Sequence, residues 1–285
     1  MVSAGLAHVN QLPADPLQRV FRGQTVRIRL AEPPDKLQDP EPGKFGIVYE
    51  DPWLMVIDKP AGLVAHAVGP IQNGTLTHLI QYHLDQQTVA KGMLQAGIVH
   101  RLDRMTSGLM VVAKEHQTHR VISLDFQAGR MKKSYLALVE GYVPFDDRVV
   151  TLPIGRRSGG RGVLMSAGPN ALYPRNAKTK VIVLERRRRV TLIECRLYTG
   201  RNHQIRVHMA EIGHPVVGDE FYGPRGEIRS QPHSDGQTRS PQRHSLHAAG
   251  LGFRHPVLRT WLSFRSIPPP DFLGSCAALN SGQPA

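Results

Sequence analysis

The run His100-Arg101-Leu102-Asp103-Arg104-Met105-Thr106-Ser107-Gly108-Leu109 places one carboxylate, Asp103, two residues after an arginine. A small-residue turn follows it and leads into an apolar strand, Leu109 to Ala113. A carboxylate held at a turn on a strand edge can be ionised, rigid and open to a substrate at once, so Asp103 reads as a nucleophile. Three other runs carry reactive residue types. Thr199 to His208 has Gly200 for a turn, then Arg201, then a helix starting near Asn202 with Arg206 close to its start. Lys132 to Val139 sets one phenol, Tyr135, on a strand just after Lys132 and Lys133. Val56 to Leu63 runs a strand into a Pro/Gly turn at Lys59-Pro60.

The partner of such a site is indicated by charge. The chain has 36 Lys+Arg against 23 Asp+Glu, a formal net charge of +13. An excess of that size points to a polyanion, with nucleic acid ahead of a membrane surface. Two cysteines are too few for a disulfide framework, and with no metal-ligand spacing they fit a reducing cytoplasm. The first residues carry no basic region and no long apolar run, so the expectation is a protein neither secreted nor inserted in a membrane. His116/His119 and His244/His247 lack a third ligand at any recognisable spacing, and His203 and His208 fall on different helix faces. Neither a metal nor a cofactor is expected.

The elements that must position these residues follow from periodicity. Strands are expected at Ile47 to Tyr49, Leu54 to Ile57, Val111 to Val112, Ser134 to Val143, Leu246 to Phe253 and Leu258 to Phe264, with a hairpin from Val181 to Leu197. Helices are expected at Thr75 to Leu84, His116 to Ala128 (stopped by Gly129) and His203 to Ile212. Many short strands with a few inserted helices give an α+β class with a mixed, mostly antiparallel sheet. The expected division is a small N-terminal fragment at 1–31, a Pro-rich linker at 32–44, a main domain at 45–268 and a mobile tail at 269–285. In the fragment, Val26, Ile28 and Leu30 should face inward and Arg27 and Arg29 outward. Pro224 to Arg243, rich in Gly, Ser, Pro and Gln, reads as a mobile loop.

The four runs, taken in order, resemble the RluA-type RNA pseudouridine synthases. The family's motifs stand at Lys59–Leu63, His100–Leu109, Lys133–Gly141, Gly200–His208 and Gly213–Tyr222. Any one of them can arise by chance; several in the family's order over Ile47 to Tyr222 make a specific signal. The resemblance implies a bisected mixed sheet with the active cleft across its middle. It makes residues 1–31 resemble the back half of an α-L RNA-binding domain. It also implies an RNA substrate, ribosomal or transfer RNA, whose uridine is converted to pseudouridine. That reaction breaks the C1′–N1 bond, turns the base and joins C1′ to C5. It needs an ionised carboxylate in a dry pocket, hence a cation beside it; Asp103 and Arg206 are the candidates, with Tyr135 stacking on the base. Asp103 has ribose C1′ and uracil C6 as alternative targets.

Arg101, beside the nucleophile, is placed to fill the space of a flipped base, to meet a phosphate or to form a structural ion pair. Lys59, Lys133, Arg201 and His203 stand in the same motifs as candidate RNA contacts, Lys59 as a turn lysine or phosphate contact. Arg186, Arg187, Arg188 and Arg189 join two strands, and read either as a solvated hairpin tip or as contacts to RNA phosphates. Arg156, Arg157 and Arg161, in a Gly-rich stretch, read the same way. Each catalytic residue has a plain alternative: Asp103 as a turn cap, Arg206 as a surface arginine, Tyr135 as strand packing. A basic RNA-binding or assembly protein with an inactive cleft is the alternative function.

Overall fold

The structure, a computed structural model, describes residues 7–15, 18–28, 40–67, 71, 73–87, 96–159, 164–168, 171–229 and 243–272. The chain divides into two units, Met1–Asp39 and Pro40–Ala285. In the smaller unit β1 (Ala7–Val9) and β2 (Leu12–Pro13) form a hairpin, and β3 (Val26–Ile28) pairs with the other edge of β1. The turn residues Asn10 and Gln11 have φ of 49° and 70°. Positive φ at both positions matches the twist of a two-residue hairpin, and Asn tolerates it well. Val26, expected to face inward, is half-exposed, because three short strands supply little surface to cover it. Arg29 and Leu30 lie outside the described residues.

The larger unit is built on one sheet. Its elements in chain order are β4 (Gly46–Glu50), β5 (Leu54–Lys59), α1 (Leu76–Asp85), β6 (Gly97–Ile98), β7 (Ser107–Ala113), α2 (His116–Gln127), β8 (Lys132–Glu140), β9 (Asp147–Val150), β10 (Ile154–Arg157), β11 (Met165–Ser166), β12 (Ala171–Arg175), β13 (Thr179–Arg186), β14 (Val190–Leu197), α3 (Gln204–Glu211), β15 (Leu246–Arg254) and β16 (Trp261–Arg265). The strand order is β4-β5-β7-β15-β8-β14-β13-β9, with β6 beside β7 and β16 beside β15. Every pairing is antiparallel except β7 with β15.

Burial explains the apolar runs. Met55, Ile57, Met110 and Val112 pack with Leu76, Ile80 and Leu84 of α1 and with Ile205 and Met209 of α3. Their neighbours Leu54, Val56, Leu109 and Val111 pack on the other face with Ile122 of α2, Leu251 and Phe253. Successive strand residues point to opposite faces, so a strand covered on both reads as unbroken hydrophobic sequence.

The two halves of the sheet meet at a narrow seam. β7 and β15 pair only through His247↔Ser107 and Ala248↔Gly108. Gly108 has φ of 114°, and a Cβ there would fall 2.4 Å from the Ala248 carbonyl oxygen. Side chains reinforce the join. Thr106 Oγ1 lies 2.8 Å from His244 Nε2 and Ser107 Oγ lies 2.9 Å from His247 Nδ1. Arg243 donates to the Met105 carbonyl at 3.0 Å and to Asp271 at 2.5 Å. Gly108→Ala should therefore cost roughly 3 kcal/mol or more, through overlap added to backbone strain. Gly62→Ala is its control: Gly62 has φ of 87°, but nothing lies within 4 Å of an added Cβ. Equal losses of stability in the two variants, measured by denaturant unfolding, would mean that the seam contact contributes nothing.

Several expectations are corrected. Arg156 and Arg157 sit on β10, in a separate three-stranded sheet ordered β11-β10-β12; Arg161 is outside the described residues. Residues 40–44, read as linker, belong to the larger unit, where the Glu41 carboxylate accepts from the Gly74 N–H at 3.1 Å. Both ends of the expected loop 224–243 are anchored. Arg229 donates to Glu140 and to the Asp219 carbonyl, and Arg243 is buried at the seam. Residues 230–242 lie outside the described residues. The first residues of the expected tail, 269–285, are likewise anchored: Asp271 binds Arg243 and Phe272 is buried. Residues 273–285 lie outside the described residues.

Candidate active site

Asp103 lies in the loop that enters β7, one side of the seam; Tyr135 on β8 and Arg206 on α3 come from the other. The Asp103 loop is held from below by the Lys59 turn. The Arg104 carbonyl accepts from Lys59 Nζ at 3.1 Å and from the Gly62 N–H at 2.9 Å. On the opposite side α3 is fixed at its start. Gln204 accepts from the Arg201 N–H and from Thr199 Oγ1, and donates to the Lys178 carbonyl and Thr179 Oγ1. His203 turns the chain into the helix in a left-handed conformation, φ 54°.

Arg206 is the centre of the site, its side chain only 3% exposed. Its Nε and Nη2 clasp Asp219 at 2.6 and 2.8 Å, and its Nη1 reaches Asp103 at 3.0 Å. Asp219, fully buried, also accepts from the Phe221 and Tyr222 N–H groups. Its ring neighbours Phe221 and Tyr222 lie under the guanidinium, 5.4 and 5.2 Å from centroid to Cζ. One carboxylate therefore fixes the guanidinium plane and leaves one N–H free to aim at the other. Bidentate geometry of this kind is specific to arginine.

Burial opposes ionisation of Asp103, yet its carboxyl is held below the ordinary value by His203, Arg206 and His244 and by the Arg206 hydrogen bond. Of these, Arg206 is the permanent cation. Burial holds His203 below its ordinary value and pushes His244 down to about 3. Arg206 itself loses hydration by burial, and the two carboxylates more than restore its charged form. His203 takes part as a neutral ring. The Tyr222 hydroxyl accepts from the Met165 N–H at 3.0 Å and is hydrogen-bonded to His203 Nδ1 at 2.7 Å. The other ring nitrogen, Nε2, faces Asp103 Oδ1 at 3.9 Å.

Two pockets meet at this pair. A small inner one of about 60 Å³ is lined by Asp103, Tyr135, Leu197, Ile205, Arg206 and Leu246. A wider one of about 480 Å³ opens outward past Arg104, Glu220, Phe221 and Arg243. Arg101, Asp103, His203 and Arg206 line both. Burial, and then the Asp103 charge, push the Tyr135 phenol well above its ordinary value, so it stays protonated. Its hydroxyl makes no hydrogen bond among the described residues.

The structure thus brings Asp103, Tyr135 and Arg206 together with Arg101, Arg201 and His203. Lys59 is a correction. It is fully buried, and its ammonium donates to the Pro60, Leu63 and Arg104 carbonyls at 2.8, 3.0 and 3.1 Å. Three donors already satisfied leave none for a phosphate, and burial pulls its pKa down to about 7. It is a tie between turns. Lys133 is also mostly enclosed, pulled by burial down to about 8 and lying over the Phe126 ring. The arginine run divides. Arg186 donates to the Val143 and Phe145 carbonyls and to Asp146, and Arg187 pairs with Glu185, whereas Arg188 and Arg189 are exposed at the hairpin tip. Arg188→Ser with Arg189→Ser should lower the salt slope of RNA binding by about 1.5. Arg186→Ser should instead lower the unfolding temperature and leave the slope alone. A salt titration of both variants checks this, and a slope change confined to Arg186→Ser would reverse the division.

Asp219, Tyr222 and His244 carry no role in the sequence reading. Asp219 and Tyr222 stand inside the Gly213–Tyr222 motif, and the signal available was an acid near a buried arginine that needs two partners. His244 has no comparable signal.

The family model described as RNA pseudouridylate synthase matches residues 53–211. The chain is 37% identical over 274 residues to the ribosomal large subunit pseudouridine synthase D of Neisseria meningitidis serogroup A / serotype 4A, covering 95% of this chain and 71% of that protein. It is 39% identical over 246 residues to the protein of the same name from Pseudomonas aeruginosa, covering 84% and 73%. An RNA pseudouridine synthase of Aquifex aeolicus is 34% identical over 100% of this chain and 89% of its own length. Among solved structures, human RNA pseudouridylate synthase domain containing 1 superposes with a TM-score of 0.62 at 28% identity, over 80% of this chain and 86% of that one.

Proposed function

The chain belongs to the RNA pseudouridylate synthase family, of the RluA type, and isomerises uridine in RNA; from that premise we propose that its substrate is ribosomal RNA and that Asp103 is the nucleophile. The observation that carries the catalytic reading is the partly buried Asp103 carboxylate, held ionised by an Arg206 that Asp219 orients. The ribosomal reading is supported by the names of the Neisseria and Pseudomonas relatives.

In the proposed mechanism the target uridine leaves its stack, at a cost of a few kcal/mol, and its base enters the inner pocket. The exposed Arg101 guanidinium fills the space the base vacates. Asp103 attacks, at ribose C1′ or at uracil C6, and the C1′–N1 bond breaks. The base turns and C1′ joins C5; the bond to Asp103 breaks again, at C1′ as C5 takes its place or at C6 by elimination, which restores the carboxylate. The C5 proton leaves and N1 gains one, so the product is an isomer of the substrate. Tyr135 stays a neutral phenol. It stacks on the base and offers its hydroxyl to the proton transfers, because a phenol held this far above neutrality is a poor base. His203 lines the same side of the carboxylate, with its Nε2 3.9 Å from the oxygen that Arg206 leaves free. Residues 1–31 belong to the same proposal as an α-L-like RNA contact, and the compartment is the cytoplasm.

Mapping pseudouridines across total RNA with and without this gene tests the target. The expected result is one or a few sites lost from large-subunit ribosomal RNA. Losses confined to transfer RNA would overturn the ribosomal assignment, and no loss at all from an expressed, folded protein would overturn the catalytic one.

A further inference from the structure

Outside the cleft, the surface between α2 and the β15–β16 hairpin holds a groove of about 540 Å³, within the size range of ligand sites. Its floor is apolar, from Val121 and Leu124. Its wall is Trp261, 49% exposed, and its rim carries Arg254 and Arg259. In register, Arg254 lies directly opposite Trp261. The indole lies close against the strand because residue 252 is glycine: a Cβ there would come within 3.0 Å of the ring. The Lys132 ammonium sits 4.9 Å from the ring centroid.

The charges on this surface are uneven. Its one acid, Asp125, is bonded to Arg130 through Nε at 2.7 Å. Arg254, Arg259 and Lys132 have no carboxylate partner among the described residues. Three uncompensated cations around a half-exposed indole, over an apolar floor, match a chain of phosphates bearing flat bases. The groove reaches the start of the strand that carries Tyr135, whose side chain points to the opposite face, so RNA lying in both sites passes round the end of β8. Lys132 opens β8, and Tyr135 follows three residues later, about 10 Å away at strand spacing.

We propose that this groove is a second RNA-binding site, in which single-stranded RNA flanking the target uridine stacks a base on Trp261 and lays phosphates on Arg254, Arg259 and Lys132. The inference rests on RNA being the substrate. An acidic protein segment would satisfy the cations but offers no flat base to the exposed indole.

The chain has two tryptophans, and Trp53 is partly buried against His255, so a Trp53→Phe variant leaves Trp261 as a single fluorescent reporter. Titrating it with a polyuridine oligomer of about twenty nucleotides should quench the Trp261 emission in step with binding read by anisotropy of the labelled oligomer. Arg254→Ser with Arg259→Ser should weaken that binding about tenfold at low salt. Polyglutamate of the same length should do neither. If Trp53→Phe does not fold, the difference between the wild type and Trp261→Phe supplies the same signal. Saturated anisotropy with unmoved Trp261 emission would place the RNA elsewhere and overturn the proposal; polyglutamate matching polyuridine would reassign the groove to an acidic protein. Failure of the catalytic reading shows separately, as quenching that is intact in a protein that forms no pseudouridine.

Discussion

Asp103→Asn leaves a purified protein that binds RNA with near wild-type affinity and forms no pseudouridine. The two side chains have one shape, and Arg206 Nη1 can donate to the amide oxygen as it does to the carboxylate at 3.0 Å. The remainder of the guanidinium stays clasped by Asp219, so the site keeps its geometry. Removing a charge that burial opposes also offsets part of the lost ion pair, and stability should change little. Only the nucleophile is lost, which on the pattern of other covalent enzymes costs at least about 10⁴-fold in rate. Single-turnover release of tritium from RNA labelled at uridine C5 measures it, because C5 must shed its hydrogen. Release within tenfold of wild type would remove Asp103 from the chemistry.

Arg206 should be almost as costly to replace, and its loss has a signature in pH. In the intact site Asp103 titrates below the ordinary carboxylate range, and activity should fall only as pH drops through that depressed value. In Arg206→Met, desolvation acts on Asp103 without its permanent cation. The pKa rises, and the acid limb of the rate profile moves to higher pH. Arg206→Lys keeps a charge but cannot clasp Asp219 and reach Asp103 with one ammonium, so a smaller shift is expected with a rate loss of about 10²–10³-fold. Arg206→Met also strands Asp219, fully buried, with an uncompensated charge, a loss of about 3–5 kcal/mol. The double variant Arg206→Met with Asp219→Asn removes that penalty and keeps the pH test readable if the single variant unfolds. A limb that stays in place in a folded protein would mean that another group holds Asp103 ionised.

The proposed trio, which the structure brings to one pocket, could be picked out because chemistry constrains residue type and local spacing together: Asp103, Tyr135 and Arg206 each sit in a short run that states both. Burial is not stated so directly. Lys59 reads as a phosphate contact by type, and only the three carbonyls around its ammonium show that it faces inward. Arg186 likewise resembles its three neighbours until its partners on the 143–146 turn are seen. Asp219 was passed over because its significance lies in which guanidinium edge it occupies. The elements buried on both faces, β5 and β7, were legible from unbroken apolar runs. The small sheet of β10, β11 and β12 was not, since strands of two to five residues, too short to show a period, resemble loops.

The seam between β7 and β15 bears on how activity is acquired. Strands β4, β5 and β7 with α1 and α2 come from residues 46–127, and the other half of the sheet from residues 132–265. Each half is continuous in sequence, while the Ser107–His247 contact spans 140 residues. Closing a loop that long is entropically costly and is rewarded only once both edges exist, so the seam should form late in folding. Asp103 arrives with the first half, Tyr135 and Arg206 with the second. During synthesis the N-terminal half can therefore collapse around its own core while it remains chemically inert. The proposed nucleophile meets its cation only when the ribosome has released residues as far as β15, and on that assignment catalytic competence becomes a direct readout of completed folding.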